Sequence, residues 1–154
     1  MLDEGDTAPE VTLMLSDGSA RLLSAWRGAP LVLYFYPKDD TPGCTTEAQG
    51  FTALADAFAA AGTAVVGVSK DSAKRHQNFI AKYGLKLALA SDADDSVCAA
   101  FGTWVEKNMY GRTYMGIQRA TFLIDAAGRI ARAWPKVKVA GHAAEVLAAA
   151  KALA

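Results

Sequence analysis

Residues 31–36 read Leu-Val-Leu-Tyr-Phe-Tyr and stop at Pro37, and no other stretch narrows the choice of fold as much. An unbroken run of branched and aromatic side chains leaves no polar face for water, so it reads as a central strand buried on both sides. Such a strand needs cover above and below. Phe51, Leu54, Ala55 and Phe58 recur at helical spacing over 47–61, before Gly62. A second buried strand is expected over 63–68, a helix over 72–83 closed by Gly84, a short strand over 87–90 and a helical turn or two over 96–101. Strands over 120–124 and 129–134 flank Asp125-Ala-Ala-Gly128 as a hairpin, and a last helix covers 141–152. Upstream, a strand over 11–14 precedes the Ser16-Asp-Gly-Ser19 turn. Alternating strands and helices favour an α/β fold with a partly parallel sheet. The expectation is a central mixed β-sheet with helices on both faces, as one domain over 1–154.

Charge and cysteine content remove several classes of function. The 154 residues carry 16 basic and 16 acidic side chains, and 52% are hydrophobic. That apolar fraction opposes disorder, and the zero net charge removes the simplest case for a nucleic-acid or anionic-membrane partner. Two cysteines, Cys44 and Cys98, are too few for a disulfide-built scaffold. Residues 1–10 lack a signal-peptide pattern, and no apolar run reaches the roughly 18 residues of a spanning helix. A cytoplasmic protein is expected.

Chemistry concentrates in Tyr36-Pro-Lys-Asp-Asp-Thr-Pro-Gly-Cys-Thr-Thr-Glu47, which joins the central strand to a helix at the edge where open α/β sheets place their sites. Pro42 and Gly43 suit a constrained helix start, and Cys44 falls in or beside the first turn, where free N–H groups stabilise a thiolate. Thr41 can place a hydroxyl near the sulfur, and Pro37 can fix the end of the strand against a pocket. The alternative is that Cys44 is a small buried hydrophobe at a helix start. Arg119, directly before an apolar strand, either holds a thiolate and a developing oxyanion or makes a surface ion pair. His76, inside Lys74-Arg-His-Gln-Asn78, reads as a solvated helix residue, and His142 as a capping or packing residue. The two cysteines and two histidines lack the paired spacing of zinc modules, and there is no Cys-x-x-Cys, so neither a metal nor a dithiol exchange site is expected.

At these residues the chain resembles the peroxiredoxins, through Pro37-x-x-x-Thr41-x-x-Cys44 and Arg119. The block over 35–47 is similar to the bacterioferritin comigratory protein, or peroxiredoxin Q, subfamily. Further similar blocks run from Gly67-Val-Ser69 through Lys107-Asn-Met-Tyr-Gly111 and Arg119-x-Thr121-Phe-Leu-Ile-Asp125 to Trp134 and His142. The resemblance implies a thioredoxin-like fold and a thiol peroxidase that needs no cofactor. Cys44 would attack hydrogen peroxide or an organic hydroperoxide and become a sulfenic acid. Pro37, Thr41 and Arg119 would surround it, Glu47 would orient the hydrogen bonds, and thioredoxin or another thiol would recycle a monomeric enzyme.

Two departures from the subfamily matter. Its resolving cysteine stands five residues after the peroxidatic one or in the following helix, places held here by Gln49 and Ile80. Cys98 is the remaining candidate for resolving Cys44, through local unfolding or a partner subunit, against a plain role in the core. Recycling by an external thiol alone is the preferred expectation. A peroxide sensor that uses Cys44 oxidation as a signal, or a binding protein with an inert Cys44, are the other classes. Trp104, Met109, Tyr110, Tyr114 and Met115 read as core and loop packing rather than as a pocket or an interface. Lys136-Val-Lys-Val139 reads as a partly solvated strand or extended segment.

Overall fold

The structure is a computed structural model that describes residues 1–153. Its elements follow the expected alternation. Strands β1 (Thr12–Leu15) and β2 (Ala20–Leu22) come first, then a 3-10 turn (Leu23–Trp26) and β3 (Leu31–Phe35). Helices α1 (Pro42–Ala53) and α2 (Ala55–Ala60) lead to β4 (Ala64–Ser69), α3 (Ala73–Tyr83), β5 (Ala88–Ser91) and α4 (Ser96–Phe101). The chain closes with β6 (Trp104–Met109), β7 (Arg112–Ile117), β8 (Ala120–Ile124), β9 (Ile130–Trp134) and α5 (His142–Leu153).

Seven strands form one mixed sheet in the order β2-β1-β5-β4-β3-β8-β9. Strand β3 pairs parallel with β4 and antiparallel with β8, so the apolar run over 31–36 does lie at the centre. Its side chains alternate between two cores, as a strand's period of two requires. Leu31, Leu33 and Phe35 pack with α4 and the 3-10 turn, whereas Val32, Tyr34 and Tyr36 pack with α1, α2, α3 and α5. Both faces are covered, but unevenly: four of the five helices share one side.

Three expectations change in detail. The helix expected over 47–61 starts at Pro42 and breaks at Leu54, whose φ of −103° and ψ of 11° leave the helical region. Of the two forms expected for residues 136–139, the strand is absent and the partly solvated extended segment is present, with burial that alternates as the valines require. Residues 104–117 form an antiparallel ribbon outside the main sheet, turning at Tyr110-Gly111, where both φ values are positive. The expected packing of its apolar residues is corrected accordingly. Trp104 does pack against the core, but Met109, Tyr114 and Met115 are exposed and Tyr110 is 98% exposed. A two-stranded ribbon with no sheet neighbour has too little core to bury them.

Candidate active site

Strand β3 delivers the chain to the carboxyl edge of the sheet, where the Tyr36 amide still donates to the Val68 carbonyl at 3.1 Å. The loop over 37–41 crosses that edge, and α1 begins at Pro42, where a fixed φ suits a first helical residue and no N–H is lost. Cys44 is therefore the third residue of α1, within the turn whose N–H groups lack helical acceptors. It is only 2% exposed.

Arg119 reaches this turn from the connection between β7 and β8. Its carbonyl accepts from the Val137 amide at 3.0 Å and from the Gln118 side chain at 3.2 Å, which fixes the backbone. The guanidinium then forks: Nη2 donates to Cys44 Sγ at 3.3 Å and Nη1 donates to Glu47 Oε1 at 2.7 Å. Gly43 makes this approach feasible, since a Cβ there would stand 3.2 Å from Arg119 Nη2. The ion pair of Arg119 is thus with buried Glu47 rather than on the surface, and it accompanies the contact with sulfur. Glu47 lies three residues beyond Cys44 on the same face of the helix and pairs with Arg119 there.

Burial dominates the electrostatics. It pushes the Glu47 carboxyl up to about 7 against the pull of Arg119, and Glu47 Oε2 is buried with no partner. Burial also opposes the Arg119 charge, but Glu47 and Cys44 outweigh it and hold the guanidinium above its ordinary value. The Tyr34 hydroxyl is buried and unpartnered too, and burial first, then Glu47 and Cys44, push its ionisation up. Lys107 belongs to the same surroundings: burial and then Arg119 push its ammonium down, while Cys44 pulls the other way. Sequence reading left Tyr34 among the core residues and gave Lys107 no role; the only available signal was their place in the aromatic run and in the block over 107–111.

The remaining candidates are placed as follows. The Thr41 hydroxyl donates to the Lys38 carbonyl at 2.9 Å and caps no helix amide. Pro37 is exposed and borders a surface hollow with Lys38, Lys70 and Asp71. His142 packs as expected, with Nε2 2.8 Å from Thr121 Oγ1 and its ionisation pushed down to about 4 by burial. His76 is not solvated: it is 0% exposed, with Nδ1 2.7 Å from Asp39 Oδ2. Asp39, Asp71 and His76 are also the one cluster of metal-ligand atoms found among the described residues.

Cys98 lies on the other side of the sheet. It packs with Leu33, Phe35 and Phe122, while Cys44 packs with Tyr34, Tyr36 and Phe51. Faces of a sheet are separated by the backbone layer itself, so no side-chain motion brings the two sulfurs together, and a Cys44–Cys98 bridge requires the local unfolding or the partner subunit named above.

A thioredoxin-like α/β fold with one cysteine in the first turn of a helix, facing an arginine on a carboxylate, defines a thiol peroxidase of the peroxiredoxin class. The AhpC/TSA family profile matches residues 4–133. Peroxiredoxin Bcp of Xanthomonas campestris is 53% identical over 143 residues, covering 93% of this chain and 89% of that protein. Peroxiredoxin Bcp of Bacillus subtilis is 44% identical over 146 residues, covering 95% and 93%. Among solved structures, a mutant of Xanthomonas campestris Peroxiredoxin Q superposes with a TM-score of 0.92 at 50% identity, covering 99% of this chain and 100% of that one. A structure of the bacterioferritin comigratory protein of Xanthomonas campestris, solved for insight into its alkyl peroxide reduction activity, gives a TM-score of 0.89 at 50% identity, covering 96% and 98%. The chain belongs to the AhpC/TSA family, in its Bcp or peroxiredoxin Q branch.

Proposed function

We propose that this chain reduces hydrogen peroxide and organic hydroperoxides through Cys44. The observation that carries the reading is the Arg119 Nη2 donor 3.3 Å from Cys44 Sγ. The thiolate attacks the terminal peroxide oxygen; an S–O bond forms as the O–O bond breaks, and sulfur loses two electrons. The departing oxygen leaves as hydroxide or alkoxide and takes a proton to become water or an alcohol. Arg119 and the free N–H groups of the first turn face the charge that develops there. Thr41, whose hydroxyl proton is committed to Lys38, keeps its oxygen as an acceptor for the peroxide O–H. Pro37 shapes the approach, and Glu47 holds the guanidinium in plane.

Recycling falls to an external thiol such as thioredoxin. One thiol condenses with the Cys44 sulfenic acid to a mixed disulfide and water, and a second releases reduced Cys44 and a disulfide. The chain works as a single domain and a cytoplasmic monomer; no described helix is long and apolar enough to cross a membrane. The alkyl peroxide reduction of the relative named above supports organic hydroperoxides as substrates. Mass spectrometry after one equivalent of peroxide tests the reading. The expected product carries one added oxygen on Cys44 and none on Cys98. Unchanged Cys44 beside unconsumed peroxide would overturn the peroxidase assignment, and a Cys44–Cys98 bridge would overturn external recycling.

A further inference from the structure

A buried polar cluster stands beside the loop that carries Pro37 and Thr41, and no step above uses it. Asp39, in the middle of that loop, is 3% exposed, and its carboxylate is held at both oxygens. The Tyr36 hydroxyl donates to Oδ1 at 2.5 Å, and His76 Nδ1 lies 2.7 Å from Oδ2. His76 Nε2 lies 3.1 Å from the Ala90 carbonyl, so the two ring nitrogens are spanned between that carbonyl and the Asp39 carboxylate. The Asp39 amide donates to Asp71 Oδ2 at 2.8 Å, an oxygen that also accepts from Ser69 Oγ at 2.7 Å. The other Asp71 oxygen accepts from Arg75 Nε at 2.9 Å. Each of these side chains already has its partners, so the cluster is a finished network, not an open cation site.

The next residue repeats the connection. Asp40 sits at a φ of +59°, a left-handed conformation that a non-glycine residue keeps only when its surroundings fix it. Its carboxylate accepts from Lys82 Nζ at 2.8 Å and from the Tyr83 hydroxyl. Lys82 and Tyr83, like His76, belong to α3. Helix α3 therefore grips two consecutive residues of a loop that runs straight into Pro42, Gly43 and Cys44.

That grip bears on access to sulfur. At 2% exposure, Cys44 presents almost no surface, and a protein thiol cannot touch it until the first turn of α1 moves. We propose that His76 is a positioning residue, which through Asp39 holds the loop and the first turn of α1 in the peroxide-reactive arrangement, so that releasing it trades peroxide attack for exposure of Cys44 to thiol reagents. The proposal rests on the peroxidase reading of Cys44 for its kinetic half and is independent of it for its exposure half.

The test compares wild type with His76→Ala and His76→Asn, the latter keeping an amide N–H where Nδ1 stands. Peroxide kcat/KM and the rates at which iodoacetamide alkylates each cysteine in the reduced protein are measured. For His76→Ala, kcat/KM should fall at least about tenfold, as a misaligned reacting group implies. Alkylation of Cys44 should rise about tenfold or more, while Cys98, at 0% exposure on the far face, stays protected. His76→Asn should recover part of both changes. Unchanged kcat/KM and labelling in His76→Ala would overturn the proposal, and so would equal exposure of both cysteines, which signals general loosening. If the alanine variant does not fold, wild-type behaviour of His76→Asn supports the tie, while loss of peroxide activity in it with Cys44 still protected overturns the tie. A wild type that leaves peroxide untouched sinks the peroxidase reading instead, and the labelling contrast still decides the tie.

Discussion

Cys44 and Cys98 occupy the same place in their helices and have opposite surroundings. Each is the third residue of its helix, α1 or α4, and each is buried. Cys44 receives a guanidinium N–H from Arg119 at 3.3 Å. Cys98 faces a carboxylate: its own amide donates to Asp92 Oδ2 at 2.8 Å, and burial together with Asp92 pushes the thiol far up. A helix start therefore does not make a thiol reactive by itself. The sign of the nearest side-chain charge separates the two thiols, and the sheet between them keeps them apart.

The largest expected effect breaks that contrast directly. Cys44→Ser should abolish peroxide turnover, whereas Cys98→Ser should consume peroxide at the wild-type rate with an external thiol, as read in a coupled reductant assay. A slower Cys98→Ser enzyme with normal initial Cys44 oxidation would show that Cys98 takes part in recycling after all. Next in size is Arg119→Lys, which keeps the charge but cannot span Cys44 and Glu47 with one planar fork. Loss of a donor aimed at a developing oxyanion costs on the order of 10²–10³ in rate, so kcat/KM for peroxide should fall by about that factor. A fall of less than about threefold would mean that Arg119 serves only the fold.

Much of this arrangement was legible in the chain, and what escaped did so for physical reasons. The run over 31–36 fixed the central strand because no other placement hides six apolar side chains. Pro42 and Gly43 marked the helix start because their backbone preferences are local. His76 was misread from its polar neighbours, although His76, Phe79 and Tyr83 share one helical stripe and Phe79 is buried. The ribbon over 104–117 was missed because its turn uses Tyr110 at a positive φ, where asparagine or glycine is the usual signal. That Arg119 meets Cys44 and Glu47, 75 and 72 residues away, could come only from family resemblance, since no local pattern encodes the meeting of separate elements.

The smallest effect concerns one carboxylate at each place: Asp92, which meets Cys98, and Glu47, which meets Arg119 on the far side from Cys44. Asp92 has backbone donors on both oxygens, Val97 N at 3.1 Å and Cys98 N at 2.8 Å. Glu47 has Arg119 on Oε1 and nothing on Oε2. Its ionisation is accordingly raised from 4.5 to about 7, so in the folded protein Glu47 keeps a proton that the unfolded chain gives up. The stability this confers is complete below 4.5 and is lost as pH rises through 7. His142, lowered by burial from 6.5 to about 4, acts with the other sign: its contribution is complete above 6.5 and is lost as pH falls through 4. The two opposing slopes overlap and flatten the wild-type profile between them. Glu47→Gln keeps an oxygen for Arg119 and removes only the first slope, so activity should change less than about tenfold. Its stability, followed by urea denaturation, should gain on wild type by about 2 kcal/mol between pH 5 and 8. A constant difference between the two proteins across that range would show that Glu47 is ionised throughout, and that the charge beside Cys44 is as well compensated as the one beside Cys98.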